Sequence, residues 1–474
     1  MQQSNLLVKQ KMRQPSAVLQ QIVSFGAGEG IARGFNWATM ALLPLLLTSS
    51  EEYGRVGLLV SIEMLVANVS LMGLDRAVLR FYAKDELPSK LLKSVLVIWA
   101  GFAWIPLAAV LIFYLFGWKT LFGIPLAPHL FLLSAIVAIF NLNSLCVGIG
   151  RARQNLSIFY RFRLIYVALK FVLVLALAKV LGHSLSYVIG IGISALVMLI
   201  FILPFLLRSA RERADCVIIS KILMFGWPFV FHIISGNILS YFSLFFLEVY
   251  NTTQDVGIFM FALTLGNGLY IIYAVLSTYF EPRIYSHADE KANCEKWLTF
   301  YTNACISLAS AGGACLLFFY PYFVQYLDAD YWRALPTISM IMGTVLLTPL
   351  YLQGNYRLTA HTKTGYIATS SLICACLSIG LNYILIPRYG ILGAAFAMYI
   401  SNFALCAFIL IASIRIAQIP LRHLYSLPLY GVCVTGSLSV ILLANKTEMS
   451  ILMLMVVFLT TSGLLVHSFI KRVV

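Results

Sequence analysis

Four charged residues stand inside long apolar runs of the sequence: Glu29, Arg33, Glu63 and Lys170. Glu29 and Arg33 are four apart, so a helix stacks them on one face. Two acids and two bases cancel in charge. Cations in such surroundings attract an anion such as a diphosphate through charge-assisted hydrogen bonds. Carboxylates in a low dielectric can change protonation state. The structural alternative is mutual neutralisation, Glu29 with Arg33 and Glu63 with Lys170. Burying paired charges is seldom a net gain over apolar residues. A charge at the centre of a bilayer costs about 2.5–3.5 kcal/mol even on the gentler insertion scale. Four such residues for structure alone are hard to justify, so Arg33 and Lys170 are expected to hold an anionic ligand, and Glu29 and Glu63 to couple to an ion.

Three further residues extend this set. Arg163 precedes Lys170 by seven positions and shares its helix face. Arg161 either joins them in a basic track or is an ordinary helix-end charge. Asp75, at the end of an apolar run, is either a boundary salt bridge or a gating group.

The elements that must position these residues are membrane helices. The chain has 474 residues, of which 61% are hydrophobic and 11% charged, with a mean hydropathy of +0.90. That is too much apolar surface for a single soluble core. Fourteen apolar runs have about the 20 residues needed to cross ~30 Å of hydrocarbon. They cover 19–47, 54–75, 92–117, 126–149, 157–181, 185–207, 219–247, 256–280, 297–324, 334–355, 364–387, 391–414, 427–444 and 450–470. Glu63 then sits ~14 Å deep and Lys170 ~20 Å deep at 1.5 Å per residue, so all four charges are expected near mid-membrane.

The net charge of +15 is spread over short loops, which argues against nucleic acid. Loops on the N-terminal side hold 25 of the 33 Lys and Arg residues, and the other side holds six. By the positive-inside rule, both termini are cytoplasmic. No secretory signal peptide is visible. The nine cysteines have no repeated spacing and read as small buried hydrophobes, not as a disulfide or metal framework.

An internal repeat is visible. Phe25-Gly26 opens the first run and Phe225-Gly226 the seventh. Val56-Gly57 and Val256-Gly257 follow the next polar turns, and Arg151 and Arg357 close the fourth and tenth runs. The expected organisation is an N-terminal six-helix lobe (1–210), a like-oriented C-terminal lobe (211–418) and two extra helices (419–474).

Two stretches are more specific. One runs from Gly73 through Asp75, Arg76 and Arg80 to Tyr82. The other is Leu381-Asn382-Tyr383-Ile384-Leu385-Ile386-Pro387-Arg388-Tyr389-Gly390-Ile391-Leu392-Gly393-Ala394-Ala395. With the Phe-Gly opening, they make the chain resemble the polysaccharide-biosynthesis exporters of the multidrug/oligosaccharidyl-lipid/polysaccharide (MOP) superfamily, which includes O-antigen-type flippases. The resemblance implies a two-lobed transporter with a central cavity, not an enzyme. It would flip an undecaprenyl-diphosphate-linked oligosaccharide to the outer face of a bacterial inner membrane. It implies membrane lipids and polysaccharide-assembly proteins as partners, with H⁺ or Na⁺ as driving ion. Lipid II flippases of the same superfamily have two extra helices, so the span count leaves the substrate open.

Three other functions are weighed against this. A drug or cation exporter needs an acidic cavity and has no use for Arg33 or Lys170. A membrane polymerase or glycosyltransferase needs a large outer loop with catalytic acids, whereas these loops are short. Direct ATP driving lacks its GxxxxGK[ST] loop. No cofactor or metal is expected.

Overall fold

The computed structural model describes residues 15–81, 88–153, 155–287, 290–361, 363–418 and 427–473. Lys9, Lys11, Arg13, Tyr82, Lys84 and Arg422 lie outside the described residues, as do the side chains of Phe25, Arg76, Arg80 and His232.

A backbone in hydrocarbon must satisfy its own hydrogen bonds, so apolar runs of this length fold as helices. Helices α1 (Pro15–Leu42), α2 (Ser50–Leu71) and the short α3 (Leu74–Phe81) come first. They are followed by α4 (Pro88–Phe102), α5 (Ile105–Leu115), α6 (Phe131–Ala152), α7 (Leu156–Leu181) and α8 (Leu185–Ser209). The second half holds α9 (Cys216–Tyr250), α10 (Thr253–Asn267), α11 (Tyr270–Ser286), α12 (Lys291–Val324) and α13 (Leu335–Ala360). The last are α14 (Thr364–Ala417), α15 (Leu427–Leu442) and α16 (Thr447–Val473). Among the described residues, eleven helical stretches are long and apolar enough to cross a membrane. The chain is an all-α polytopic membrane protein. Below, the near face is the one at which α1 begins.

Each expected run has a helical counterpart, with three refinements. The third run is broken into α4 and α5 just before Pro106, which lacks an N–H and crowds the preceding turn. The eighth is broken between α10 and α11 at Gly268. The eleventh and twelfth are continuous as α14 but fold back at Gly390, which takes φ +56°, a conformation that only glycine adopts cheaply. Many mid-helix hydroxyls bond back to their own helix, as Ser61 Oγ does to Gly57 O at 2.9 Å.

Two apolar clusters hold the helices together. One gathers buried residues of α1, α2 and α7–α16, including Tyr53, Tyr187, Phe259 and Tyr301. The other joins α1, α3, α4, α6, α7, α8 and the start of α9 around Leu74, Val95, Phe159 and Met198. Lipid tails are as apolar as leucine, so close packing rather than water exclusion drives helix association here. The tightest case is the crossing of α2 and α10. A Cβ on Gly54 would lie 2.0 Å from Thr253 O, and one on Gly257 would lie 2.0 Å from Ser50 O. Both helices are capped alike, Ser49 Oγ accepting from Glu52 N and Thr252 Oγ1 from Asp255 N. The spacing from cap to crossing glycine is the same in both. The structural counterpart of Gly257 is therefore Gly54, one turn away from the Gly57 that the Val-Gly pattern selects.

Candidate functional site

The α6–α7 hairpin sets the site. Asn155 caps α7, its Oδ1 accepting from Ile158 N at 3.1 Å. Gly150 lets α6 approach Phe159 of α7 closely. This brings Arg151, in the last turn of α6, and Arg163, in the second turn of α7, toward α1. Between them sits Glu29, with only 11% of its side chain exposed.

Glu29 holds three arginines. Arg163 is bidentate, with Nη2 on Oε1 at 2.9 Å and Nε on Oε2 at 3.2 Å. Arg151 Nη2 reaches Oε2 at 3.0 Å and Arg33 Nε reaches Oε1 at 3.1 Å. The expected Glu29–Arg33 pair thus exists inside a larger node. The final turn of α6 reaches that node through Arg151. Fork geometry lets guanidinium serve a carboxylate in this way.

Two cavities meet at Arg163. The smaller, about 200 Å³, is lined by Glu29, Asp75, Asn143, Ser144, Arg151 and Arg163. Asp75 reaches it because Met72 (φ 50°) and Gly73 (φ 70°) end α2 in left-handed conformations, and the chain restarts as α3. The larger cavity, about 500 Å³, lies among α1, α2, α6, α7, α8, α9, α10, α11 and α14. Its charged lining is Arg33, Arg163, Lys170 and Glu63, three cations against one carboxylate. The smaller cavity has two of each.

Glu63 and Lys170 both line the large cavity but are not directly paired. Tyr187 stands between them. Its hydroxyl donates to Glu63 Oε2 at 2.6 Å and accepts from Lys170 Nζ at 3.3 Å. The ammonium also lies 5.2 Å from the centre of the Tyr187 ring, within cation–π range. Arg161 is exposed and lines neither cavity, since a step of two residues turns it away from Arg163.

The large cavity is bounded toward both faces. On the far side α2 and α10 cross at Gly54 and Gly257, and Asp330 accepts from Ser50 Oγ and from Gln254 Nε2. Toward the near face, a Cβ on Gly226 of α9 would lie 2.3 Å from Met72 O, and one on Gly26 of α1 would lie 2.3 Å from Thr278 Oγ1 of α11. Along α1, α2, α9 and α10–α11 the lining residues fall between these two levels of contact.

Sequence reasoning missed several participants. Arg151 read as a loop charge, and its partner is 122 positions away, so no local pattern reveals it. Tyr187 gave no signal among 25 tyrosines. The apolar runs of the second half hold almost no charged residues. Yet Glu295 and Arg357, each with 2% of the side chain exposed, form a bidentate pair at 2.6 Å, and Tyr430 of α15 lies 3.2 Å from both terminal guanidinium nitrogens. Both charges fell just outside the expected spans because α12 and α13 extend further.

No protein-family model matches the chain, and no curated protein matches it. Solved structures do. A lipid II flippase, MurJ, in an inward closed conformation is 16% identical, with a TM-score of 0.66 over 93% of this chain and 99% of that one. An inward-facing multidrug-resistance MATE transporter of the MOP superfamily is 16% identical, with a TM-score of 0.61 over 84% and 98%. A MOP-superfamily transporter from Pyrococcus furiosus, described as having a binding pocket of reversed polarity, is 16% identical, with a TM-score of 0.57 over 84% and 96%. At these identities the likeness shows the fold, which is that of MOP-superfamily transporters and flippases.

Proposed function

We propose that the chain is a flippase that moves an undecaprenyl-diphosphate-linked oligosaccharide from the cytoplasmic to the outer face of a bacterial inner membrane by alternating access. The observation that carries this reading is the charge of the large cavity, where Arg33, Arg163 and Lys170 oppose Glu63 alone. Arg163 is shared with the smaller cavity, and counted once it leaves the two cavities together with four cations against three carboxylates, a net positive lining that suits an anionic diphosphate. A cavity for cationic drugs would have the opposite sign. Contacts bounding the cavity at two levels suit a transporter that opens one side at a time.

The lobes are 1–210 and 211–418, with 419–474 as an added helix pair, and both termini are cytoplasmic by the loop charges. Glu29 and Glu63 are the groups through which H⁺ or Na⁺ would couple, and Asp75 is a gating residue of the smaller cavity. Membrane lipids and polysaccharide-assembly proteins are the partners this role needs, and no cofactor. Lipid II flipping is the second reading. It is favoured by the MurJ match, which extends over 93% of this chain against 84% for the MATE transporters.

The test is substitution of Arg33 and Lys170, by Ala and by Lys or Arg respectively, in cells that depend on the surface polysaccharide. The double Ala variant should insert stably and fail to display polysaccharide, and the charge-conserving variants should retain part of it. Full display from the double Ala variant would sink the proposal. For coupling, Gln variants of Glu29 and Glu63 should lose dependence on an imposed pH or Na⁺ gradient.

A further inference from the structure

The large cavity has two kinds of polar lining. Arg33, Arg163 and Lys170 present donors. The other features are amides and aromatic rings: Asn36 of α1, Asn267 at the end of α10, Asn402 of α14, and Tyr241 and Tyr270. The amides have a definite polarity. Asn36 Nδ2 donates to Ala32 O at 3.2 Å and Asn402 Nδ2 donates to Met398 O at 2.8 Å. Only the NH₂ end of an amide can satisfy a carbonyl, so both oxygens are left without the helix as partner. Asn267 Oδ1 is buried with no partner at all, a standing cost unless a ligand supplies a donor.

Asn267 lies where the eighth span breaks. The apolar stretch Thr253–Tyr285 is 33 residues long, and its helix stops at Asn267 and resumes at Tyr270. Trp37 occupies the break, its Nε1 donating to Thr264 O at 2.8 Å. Interrupted helices at membrane depth are tolerated where they line a cavity, and they characteristically build substrate sites.

From this polarity we propose that Asn36, Asn267 and Asn402, with the rings of Tyr241 and Tyr270, form a carbohydrate subsite that reads the uncharged part of the cargo. The inference rests on the lipid-diphosphate reading and deepens it. Phosphate oxygens only accept hydrogen bonds, so amide oxygens repel them and the guanidinium wall takes them. Sugar hydroxyls donate, so amide oxygens accept them, while aromatic rings cover the apolar faces of the pyranose. Apolar walls with a few placed polar groups are the usual build of a pocket that fixes orientation. The diphosphate therefore lies against Arg33 of α1 and against α7, and the sugar against Asn36 further along α1, α9, the α10–α11 break and α14.

The experiment uses the full chain in nanodiscs and two probes: a long-chain polyisoprenyl diphosphate, and the same lipid bearing one hexose. Wild type is expected to prefer the sugar-bearing lipid by about tenfold, the worth of one or two hydrogen bonds. In the Asn267→Leu/Asn402→Leu variant the preference should fall to within about twofold, with sugar-free affinity kept, which also certifies the fold. Arg33→Ala should weaken both lipids and leave the preference intact. If the double variant binds neither lipid, Asn267→Ser and Asn402→Ser decide: each must reduce the preference at wild-type sugar-free affinity. A preference that survives in the Asn variants, or a parallel loss of both lipids in the single variants, overturns the subsite and leaves the lipid-diphosphate reading standing. Indifference of both lipids to Arg33→Ala overturns that reading itself.

Discussion

The Arg163 guanidinium grips both oxygens of the Glu29 carboxylate, while Arg33 touches the same carboxylate through Nε alone. The two arginines also differ in exposure, with 26% of the Arg163 side chain exposed and 46% of Arg33. Both line the large cavity, but Arg163 is also the firmer anchor of the α1–α7 contact and Arg33 the more exposed. Their roles in stability and in binding should therefore separate.

Arg163→Ala is expected to destabilise the protein by about 1–3 kcal/mol, the loss of a charge-assisted bidentate bond to a mostly buried carboxylate. Arg33→Ala should cost less, since its pair is half in the open. Thermal melts in detergent give the comparison. Equal shifts would mean that the node shares its strength evenly among its three arginines.

Tyr187→Phe removes the hydroxyl that donates to Glu63 and bridges it to Lys170. Glu63 is 6% exposed, so the cost should be about 1–3 kcal/mol. A double-mutant cycle with Glu63→Gln should show a coupling of about 1 kcal/mol. Additive effects would dissolve the bridge as a unit.

The crossing of α2 and α10 tolerates no side chain. Gly257→Val should separate the helices, lower thermal stability and make a far-side cysteine reporter on α2 more reactive. Gly34 has nothing within 4 Å of a built Cβ, so Gly34→Ala should be neutral or stabilising by up to about 1 kcal/mol. Similar melting temperatures for the two variants would show that backbone contact at the crossing is unimportant.

Arg357→Met leaves Glu295 buried without its partner and should cost roughly 3–5 kcal/mol, whereas replacing both residues by apolar ones of like volume should cost much less. The measurement is again the melting temperature. Transport by the double variant should persist, because neither residue lines the described cavities.

The sequence by itself determined the all-helical membrane class. Apolar run length is set by bilayer thickness, and a helix needs no distant partner to satisfy its backbone. It also singled out Arg33, Glu63, Arg163 and Lys170, which the fold brings to one cavity, because a charge in an apolar run is conspicuous wherever the run ends up. It left Arg161 open between a basic track and a helix-end charge, and the turn of the helix face leaves it exposed and lining neither cavity. It passed over Arg151, Tyr187 and the Glu295–Arg357 pair, which look ordinary until helices far apart in sequence are set side by side. Only the tertiary structure decided that Glu29 gathers three arginines, that Tyr187 separates Glu63 from Lys170, and that Asn36, Asn267 and Asn402 share a cavity with Arg33, Arg163 and Lys170. Those relations depend on helix rotation and register, which are fixed by contacts such as Gly54 on Gly257, and no local periodicity encodes them.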